Sequence, residues 1–550
     1  MVTLQKMKVL WLDINSSYSH SSLAIPAMDA QLSASVKEMH SWEILSGSLK
    51  MGISWFTQRA VEYSPDIILS TLWLFNHSFA MEVLSRVHSL IPGVRIVLGG
   101  PEFLGENEGF LIKNRFIEAV FRGEGEEVFP EFVKRMGDLT HCYEMDGFCY
   151  LDKNGKYRDN GTAQVKSFHK LLPPEQSIYF PWDKPFVQLE TSRGCFNRCA
   201  FCISGNQRII DEVPLAEMEI RIEKIHKRGI KEIRILDRTF NANTIRASKM
   251  VRLFSKYNGE IEFHTEIHPS FMESEFRDSI EKAPAGTLHF EAGIQSFQEK
   301  TLASCNRYDK KEKTINGIKY LSSLEKHQVH TDLIAGLPFY TYQQLIDDLH
   351  ILIEINPAEI QLESLKLLPG TELRKKAGEY GIKFSQLPPY EVLETPDISH
   401  TGLIKAHFLS VIIDLYYNNP EWRGLLTGLV TRNNSFLEKF TDHFFYAAYG
   451  KSLNNENKGL IIWNFCNSYF PAETEAVSIK WMEIGLSFTK GPGAESIPWK
   501  YSDMLHNPLF DKGSREHTYR YLEYPGRRHW FSYNRKTNSS KSLAKFTELF

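Results

Sequence analysis

Long hydrophobic runs are missing from this sequence, and so is any large excess of charge. No apolar stretch reaches the roughly 20 residues that a membrane-crossing helix needs, and the N-terminus lacks the basic, apolar and small-residue order of a secretory signal. The expectation is a protein without a membrane partner that works in the cytoplasm. Lys and Arg number 64 against 67 Asp and Glu, a net charge of −3, so composition gives no support to a polyanionic partner, nucleic acid included. Cysteine is scarce: seven in 550 residues, three of them inside one stretch of eight. That distribution fits a reducing compartment better than a disulfide framework. Low-complexity tracts and internal repeats are also absent. What remains is an ordinary globular composition, 42% apolar and 24% charged, in a chain too long for one hydrophobic core. Roughly two to four domains are expected.

The cysteine-dense stretch is Cys195-Phe196-Asn197-Arg198-Cys199-Ala200-Phe201-Cys202. It follows the apolar run Pro185-Phe186-Val187-Gln188-Leu189, which reads as a strand, and Gly194 lets the chain turn sharply out of that strand. A tight loop can then aim three sulfurs at one point. A structural zinc site or a closed iron–sulfur centre takes four protein ligands. Three thiolates leave one metal position open, where a second molecule can bind and react. A buried cluster of structural cysteines is the alternative.

Before this loop the chain alternates strand and helix. Strands are expected at Met7–Ile14, Ser41–Leu45, Asp66–Ser70 and Arg95–Gly99, with helices at Ser22–Val36, Trp55–Tyr63 and Ser78–Leu90. Alternation of this kind gives a parallel sheet with right-handed crossovers, whose ligands sit beyond the C-terminal strand ends. The segments there are Asn15–Ser21, Thr71–His77, Gly99-Gly100-Pro101-Glu102 and Gly123-Glu124-Gly125-Glu126. Asp152-Lys153-Asn154-Gly155-Lys156 signals a hairpin turn, and Pro173-Pro174 and Pro181 mark an extended connector. After it, six more strands are expected, at Phe186–Glu190, Glu232–Leu236, Glu262–Ile267, Leu288–Gly293, His330–Ile334 and Glu359–Leu365, separated by gaps that suit helices. From about residue 396 the rhythm stops and helical periodicity appears at Leu403–Tyr417 and Ser435–Ala448.

The three-cysteine loop resembles the cluster loop of the radical S-adenosylmethionine (SAM) superfamily. That resemblance implies a [4Fe-4S] cluster held by Cys195, Cys199 and Cys202, its open iron chelated by SAM, with Phe201 near the adenine. The six strands become a partial (β/α)6 barrel with its chemistry at the C-terminal strand ends. The motifs Thr265-Glu266-Ile267-His268-Pro269, Gly293-Ile294-Gln295-Ser296 and Asp332-Leu333-Ile334-Ala335-Gly336-Leu337-Pro338 resemble the oxygen-independent coproporphyrinogen oxidase group within it. By that likeness Glu266 and Asp332 bind the ribose, Gln295 and Arg307 contact the ribose and carboxylate of SAM, and Ile334 and Leu368 border the adenine. The usual glycine-rich stretch after the second barrel strand is replaced by Asp237-Arg238-Thr239-Phe240, which assigns the methionine ammonium to Asp237 or Thr239. The N-terminal part, with Gly99-Gly100-Pro101-Glu102 and Gly123-Glu124-Gly125, looks like the cobalamin-binding domain of class B members. Many such domains carry Asp-x-His-x-x-Gly with a cobalt-ligating His. Here Tyr18-Ser19-His20-Ser21-Ser22-Leu23 stands there without the Asp or the Gly. His20 remains a candidate ligand. Otherwise Trp73 or Leu74 faces the lower side of the corrin. A methylthiotransferase would need three more cysteines in this part, and only Cys142 and Cys149 precede Cys195.

The expected architecture is therefore an α/β protein. A doubly wound Rossmann-like cobalamin domain (1–140) is followed by a linker (141–184), the radical SAM barrel (185–395) and a mixed α/β extension of unknown role (396–550). The resemblance implies a cobalamin-dependent radical SAM methyltransferase that acts on an unactivated carbon of a small-molecule or peptide substrate. It takes electrons from a low-potential flavodoxin- or ferredoxin-type donor. Two alternatives stay open: a ring contraction, cyclisation or rearrangement with the same cofactors, and an iron–sulfur, SAM-binding sensor or RNA-binding protein. The support for RNA is the interleaving of basic and aromatic residues in 511–550, for which a β-hairpin packing on the barrel is the plainer reading.

Overall fold

The computed structural model describes residues 6–205, 209–499, 517–534 and 539–542. The chain forms two compact units. One holds residues up to Tyr340 together with Ser364–His400, and the other holds Thr341–Glu363 together with Thr401 onward.

The first unit opens with a seven-stranded sheet. Lys8–Asn15 pairs in parallel with Ser41–Ser48 on one side and Ile67–Thr71 on the other, and Arg95–Gly99 and Ala119–Phe121 follow in parallel. The strand order 2-1-3-4-5 places a topological switch point between the first and third strands, where such sheets open a crevice at their C-terminal ends. Apolar side chains leave both faces. Leu10, Leu12, Ile68 and Leu98 join one core, and Val9, Trp11, Leu69 and Val97 the other. Sequence periodicity missed the three-residue strand Ala119–Phe121. The hairpin signalled at 152–156 does form, and its strands Phe148–Leu151 and Tyr157–Asp159 extend this sheet antiparallel. The helix expected over 22–36 is broken into Ala24–Ala30 and Ala34–Lys37, with Leu32 and Ser33 outside both.

The next five strands of the same unit are Val187–Leu189, Glu232–Ile235, Glu262–Ile267, Leu288–Gln295 and Gln328–Ala335, each parallel to its neighbour. The sixth expected strand forms at Glu359–Ser364. Alternate residues separate cleanly. Leu189, Ile233, Phe263, Phe290 and Val329 pack beneath the helices, including Leu215–Lys227, Thr244–Ser255 and Ser274–Lys282. The opposite face carries Gln188, Arg234, His264, Glu266, His289, Glu291, His330 and Asp332, all of them less than fully buried. A barrel filled only for stability would put branched apolar residues there.

In the second unit, helices Pro420–Arg432, Phe436–Ala447, Asn455–Tyr469 and Thr474–Glu483 bury Trp422, Phe440, Phe465 and Trp481. The Tyr416 hydroxyl is buried with them and donates to the Lys458 carbonyl at 2.9 Å. The aromatic, basic stretch forms the hairpin His517–Tyr524/Arg527–Asn534. Its Arg520 donates to Ser496 and lies over Phe488, Arg528 pairs with Glu523, and His529 meets Glu475 at 2.8 Å. The described part of the stretch thus forms the expected hairpin, but the contacts above are to residues of the second unit itself, not to the barrel, and the rest of 511–550 lies outside the described residues. Among the described residues no helix is long and apolar enough to cross a membrane.

Helix Lys311–Ser323 approaches the loop after the third barrel strand so closely that a Cβ on Gly317 would stand 1.8 Å from the Pro269 carbonyl oxygen. Alanine would return about 1 kcal/mol of helix propensity. Forcing a methyl against backbone costs about 1–3 kcal/mol. Gly317→Ala is therefore expected to lower the first thermal unfolding midpoint of the protein, and an unchanged midpoint would contradict this packing.

Candidate active site

The cluster loop leaves the first barrel strand through Thr191-Ser192-Arg193-Gly194. Gly194 sits at φ +104°, and a Cβ there would meet the Ile209 carbonyl oxygen at 2.1 Å, so only glycine fits this turn. Asp237 fixes the exit. One carboxylate oxygen accepts from the backbone N–H of Thr191 (2.7 Å) and Ser192 (2.9 Å), the other from their hydroxyls (2.5 and 2.7 Å). Asp237 is fully buried and both its oxygens are occupied, so it is not available to hold an ammonium group; the expectation for this residue is corrected. Thr239 stays in place for such a role, its hydroxyl 3.8 Å from the Cys195 sulfur.

Cys195 and Cys199 are buried, Cys202 is half-buried, and none is in a disulfide. Burial pushes the Cys199 thiol up to about 12, with the Arg307 charge pulling the other way and Cys202 and Cys195 adding to the rise. The three thiols therefore sit within one another's electrostatic reach. Among the described residues no three such side chains converge on a single metal ion. A set in which each thiolate takes a different iron of one cluster does not require that convergence. Behind the loop, the Cys305 carbonyl accepts from Ala200 N–H at 2.9 Å, and burial raises the Cys305 thiol to about 11. Cys142 and Cys149 pack into the cores on opposite faces of the N-terminal sheet, so they do not form a second cluster site.

Along the strand ends, Gln295 has φ +69°, costly for a residue with a side chain. The pairing register shifts between Gly293 and Gln295. The Gln295 Oε1 atom is buried without a hydrogen-bond partner, the state of a group that awaits a donor. Arg307 is held by Asp309 (Nε–Oδ2 2.5 Å) and by the Gly293 carbonyl (2.5 Å), which aims its remaining N–H groups. Asp309 also meets His268 Nε2 at 2.9 Å. Burial opposes ionisation of Asp309, but the His268 hydrogen bond and the Arg307 charge hold it down at about 2. Glu266 faces the barrel interior 4.0 Å from Arg238. Burial pushes its carboxyl up to about 7, against the pull of Arg238 and with Glu291 and Asp332 adding to the rise. Asp332 and Ile334 project on that same face, as the alternating burial of Gln328–Ala335 requires. Phe201 and Leu368 are half-buried.

The expected cobalamin residues border a cavity of about 660 Å³ in the first unit, lined by His20, Trp73, Gly99, Gly100, Pro101, Gly123, Glu124 and Gly125. Gly100 and Gly123 both have φ +106°, and a Cβ would strike the Leu72 and Ala163 carbonyl oxygens at 2.6 and 2.2 Å. Bare backbone therefore forms this wall. Trp73 is set by its N–H donating to Asn76, which in turn donates to the Ile14 and Thr71 carbonyls at the switch point. Two residues do not match expectation. Leu74 is not in the lining, and Glu102 turns away, accepting from the Tyr390 hydroxyl at 2.7 Å. Exposed His20 lies with Nδ1 2.7 Å from the Ser17 hydroxyl and its ring edge-on to Phe186. No carboxylate orients it. Tyr18, at the place of the missing Asp, is exposed under Lys184.

The opposite wall of the cavity is barrel: Gln188, Glu190, Ser192, Arg193, Gly194, Ile203, Ser204, Leu236 and Arg238. Sequence reasoning gave no role to Arg193 or Glu190. Arg193 forks onto Glu190 (3.1 and 2.6 Å), reaches Glu126 (2.9 Å) and Glu124 (3.4 Å), and lies over Phe168. Burial opposes its charge, but the three glutamates hold it more firmly protonated than usual. Glu124, expected beside cobalamin, also accepts from Val165 N–H at 2.7 Å, so its carboxylate is committed to the wall itself.

Residues 189–352 match the family model of the Radical SAM superfamily. These residues therefore form a radical SAM domain. A doubly wound domain stands ahead of this match. Residues 378–480 match a family described as a protein of unknown function (DUF4080). The chain is 24% identical over 362 residues to an uncharacterized methyltransferase, PH0819, of Pyrococcus horikoshii, covering 62% of this chain and 76% of that one. It is 22% identical over 346 residues to the cobalamin-dependent radical SAM methyltransferase TokK of Streptomyces tokunonensis, covering 58% of this chain and half (50%) of the relative. Its fold is that of OxsB, a cobalamin-dependent S-adenosylmethionine radical enzyme solved with aqua-cobalamin bound. The TM-score is 0.61 at 15% identity, over 86% of this chain and 78% of that one.

The raised Glu266 carboxyl gives a signed prediction. Its folded-state pKa, about 7, lies above the ordinary carboxyl value of 4.5. Its destabilising effect on the ligand-free fold is therefore absent well below pH 4.5, grows as pH rises, and is complete above 7. Glu266→Gln should raise the thermal midpoint of the ligand-free protein at pH 8 and leave it nearly unchanged at pH 4. An equal shift at both values would mean that ionisation is not the cause.

Proposed function

We propose that this chain is a cobalamin-dependent methyltransferase that adds a methyl group to an unactivated carbon. The observation that carries the reading is the shared cavity. Glycine-built loops at the strand ends of the N-terminal sheet form one wall, and the cluster loop and barrel mouth form the other. When bound, the [4Fe-4S] cluster with SAM supplies one-electron cleavage to a carbon radical, and cobalamin supplies the methyl group.

The residues fit those groups. Cys195, Cys199 and Cys202 hold the cluster in a buried loop that keeps water away. Arg307, locked by Asp309 and the Gly293 carbonyl, turns its free N–H groups to a carboxylate, a strong charge-assisted contact. Glu266, Gln295 and Asp332 accept and donate at the ribose, Phe201, Ile334 and Leu368 border the adenine, and Thr239 supports the methionine end. His20, Trp73, Gly99, Gly100, Pro101, Gly123 and Gly125 border cobalamin. A metal-bound His normally has a carboxylate that fixes its tautomer, and Ser17 is a poor substitute. We therefore assign the lower face to Trp73 rather than to a ligating His20.

Anaerobic reconstitution with iron, sulfide and hydroxocobalamin tests this. About four irons per chain are expected, falling in Cys195→Ala, Cys199→Ala and Cys202→Ala. Arg307→Ala should keep its iron and bind SAM roughly ten- to a hundredfold more weakly. Electron paramagnetic resonance of the cob(II)alamin form should show no nitrogen splitting that His20→Ala abolishes. Incubation of a metabolite extract with SAM deuterated in its methyl group should yield a product heavier by that methyl. A rearranged, unlabelled product would replace methyl transfer with an isomerisation, and failure to take up cobalamin would end the cobalamin reading.

A further inference from the structure

The cavity is lined by two arginines and three glutamates among the described residues. All three glutamates, Glu124, Glu126 and Glu190, stand around Arg193. Arg238 is left without a carboxylate partner in the lining. Its side chain is 46% exposed, and the carboxylate it approaches, Glu266 at 4.0 Å, lies in the barrel beneath. Burial raises the Glu266 carboxyl to about 7, so at neutral pH it compensates Arg238 only in part. The backbone around Arg238 is rigid. Asp237 is locked to Thr191 and Ser192, the Thr239 hydroxyl donates to the Arg238 carbonyl at 2.7 Å, and Phe240 N–H donates to the Glu266 carbonyl at 2.7 Å. A guanidinium held on a fixed loop at the rim of an otherwise largely apolar chamber is a preformed fork for a planar or tetrahedral anion.

Resting on the reading above, we propose that Arg238 is the anchor for an anionic group of the substrate, a carboxylate or phosphate-type group carried on an apolar body. Such a substrate completes the pairing of the one arginine in the described lining whose carboxylate partner stands no nearer than 4.0 Å. Its body lies on the barrel side of the chamber, where Ile203 and Leu236 line the wall beside Arg238. The proposal separates substrate binding from SAM binding, which belongs to Arg307 deeper in the barrel.

The test uses the full-length protein reconstituted with cluster, hydroxocobalamin and SAM. Calorimetric titration compares hexanoate, hexylphosphonate and the neutral hexanamide as probes. The native protein should bind one or both anions at least tenfold more tightly than the amide, Arg238→Gln should lose that preference, and Arg238→Lys should keep part of it. Iron, cobalamin content and SAM affinity should be the same in all three proteins. Hexanoate preferred over hexylphosphonate would identify a carboxylate, and the reverse a phosphate-type group. Equal binding of anions and amide by the native protein overturns the proposal, as does loss of SAM affinity in Arg238→Gln, which would assign Arg238 to the SAM site. If the native protein fails to take up cobalamin or SAM, the functional reading fails, and that result is seen before any probe is added.

Discussion

The site depends on one half-buried guanidinium. Arg193 stands two residues before the first cluster cysteine and grips three carboxylates from two places. Glu190 ends the first barrel strand, and Glu124 and Glu126 belong to the glycine-rich loop of the N-terminal sheet. Removing one partner of a buried ionic group strands the others, at a cost of several kcal/mol. The clamp therefore ties the wall of the cavity to the loop that carries the cluster thiols. Two further contacts work alongside it, the Tyr390–Glu102 hydrogen bond and the close approach of Gly370, at φ +82°, to the Leu104 carbonyl. Cofactors that must exchange a reactive group need a fixed separation. A rigid ionic joint supplies it where a flexible linker would not.

The barrel interior follows a similar logic. Its inward face is polar along the strands: His264 pairs with Glu291 at 3.0 Å and stacks on His289, which reaches Glu262 at 3.6 Å. Replacing apolar layers by such pairs costs desolvation, and the paired charges offset it only when their geometry is good. What the arrangement gains is a set of side chains oriented before any ligand arrives. Asp309 illustrates this: it touches no expected ligand, yet it fixes the angle at which Arg307 meets the site.

Much of this was legible in the sequence because parallel strands buried on one face leave strong apolar runs. All ten strands expected from those runs form, and Glu262–Ile267 and Arg95–Gly99 have the expected limits. The three-residue strand Ala119–Phe121 was invisible because three residues carry no periodicity. The site residues divide the same way. Cysteine spacing is a local signal, so the cluster loop could be read directly. Asp237 and Glu102 were misread, and the bracing role of Glu124 was missed, because a carboxylate near a ligand motif looks the same in sequence whether it faces the ligand or braces a loop. The contacts that decide this join residues 46, 288 and 69 positions apart. Arg193 was missed for the same reason, although its position next to Gly194-Cys195 was in plain view.

Three polar groups of the site are poorly met by the protein itself. Gln295 keeps a strained backbone and an unpartnered amide oxygen, Glu266 keeps a carboxyl whose ionisation is resisted, and Arg238 keeps a guanidinium only half compensated. Such features cost of order 1–3 kcal/mol each when a polar group is left unmet or a residue is held at positive φ. They persist because the cores on both faces of the N-terminal sheet and beneath the barrel helices over-determine the fold. Each calls for a different chemistry: a hydrogen-bond donor for the Gln295 oxygen, hydroxyl donors for the Glu266 carboxylate, an anion for Arg238. Binding free energy recovered at those points adds to the stability of the loaded protein by mass action. The atoms that set affinity therefore also set the stability gained on loading.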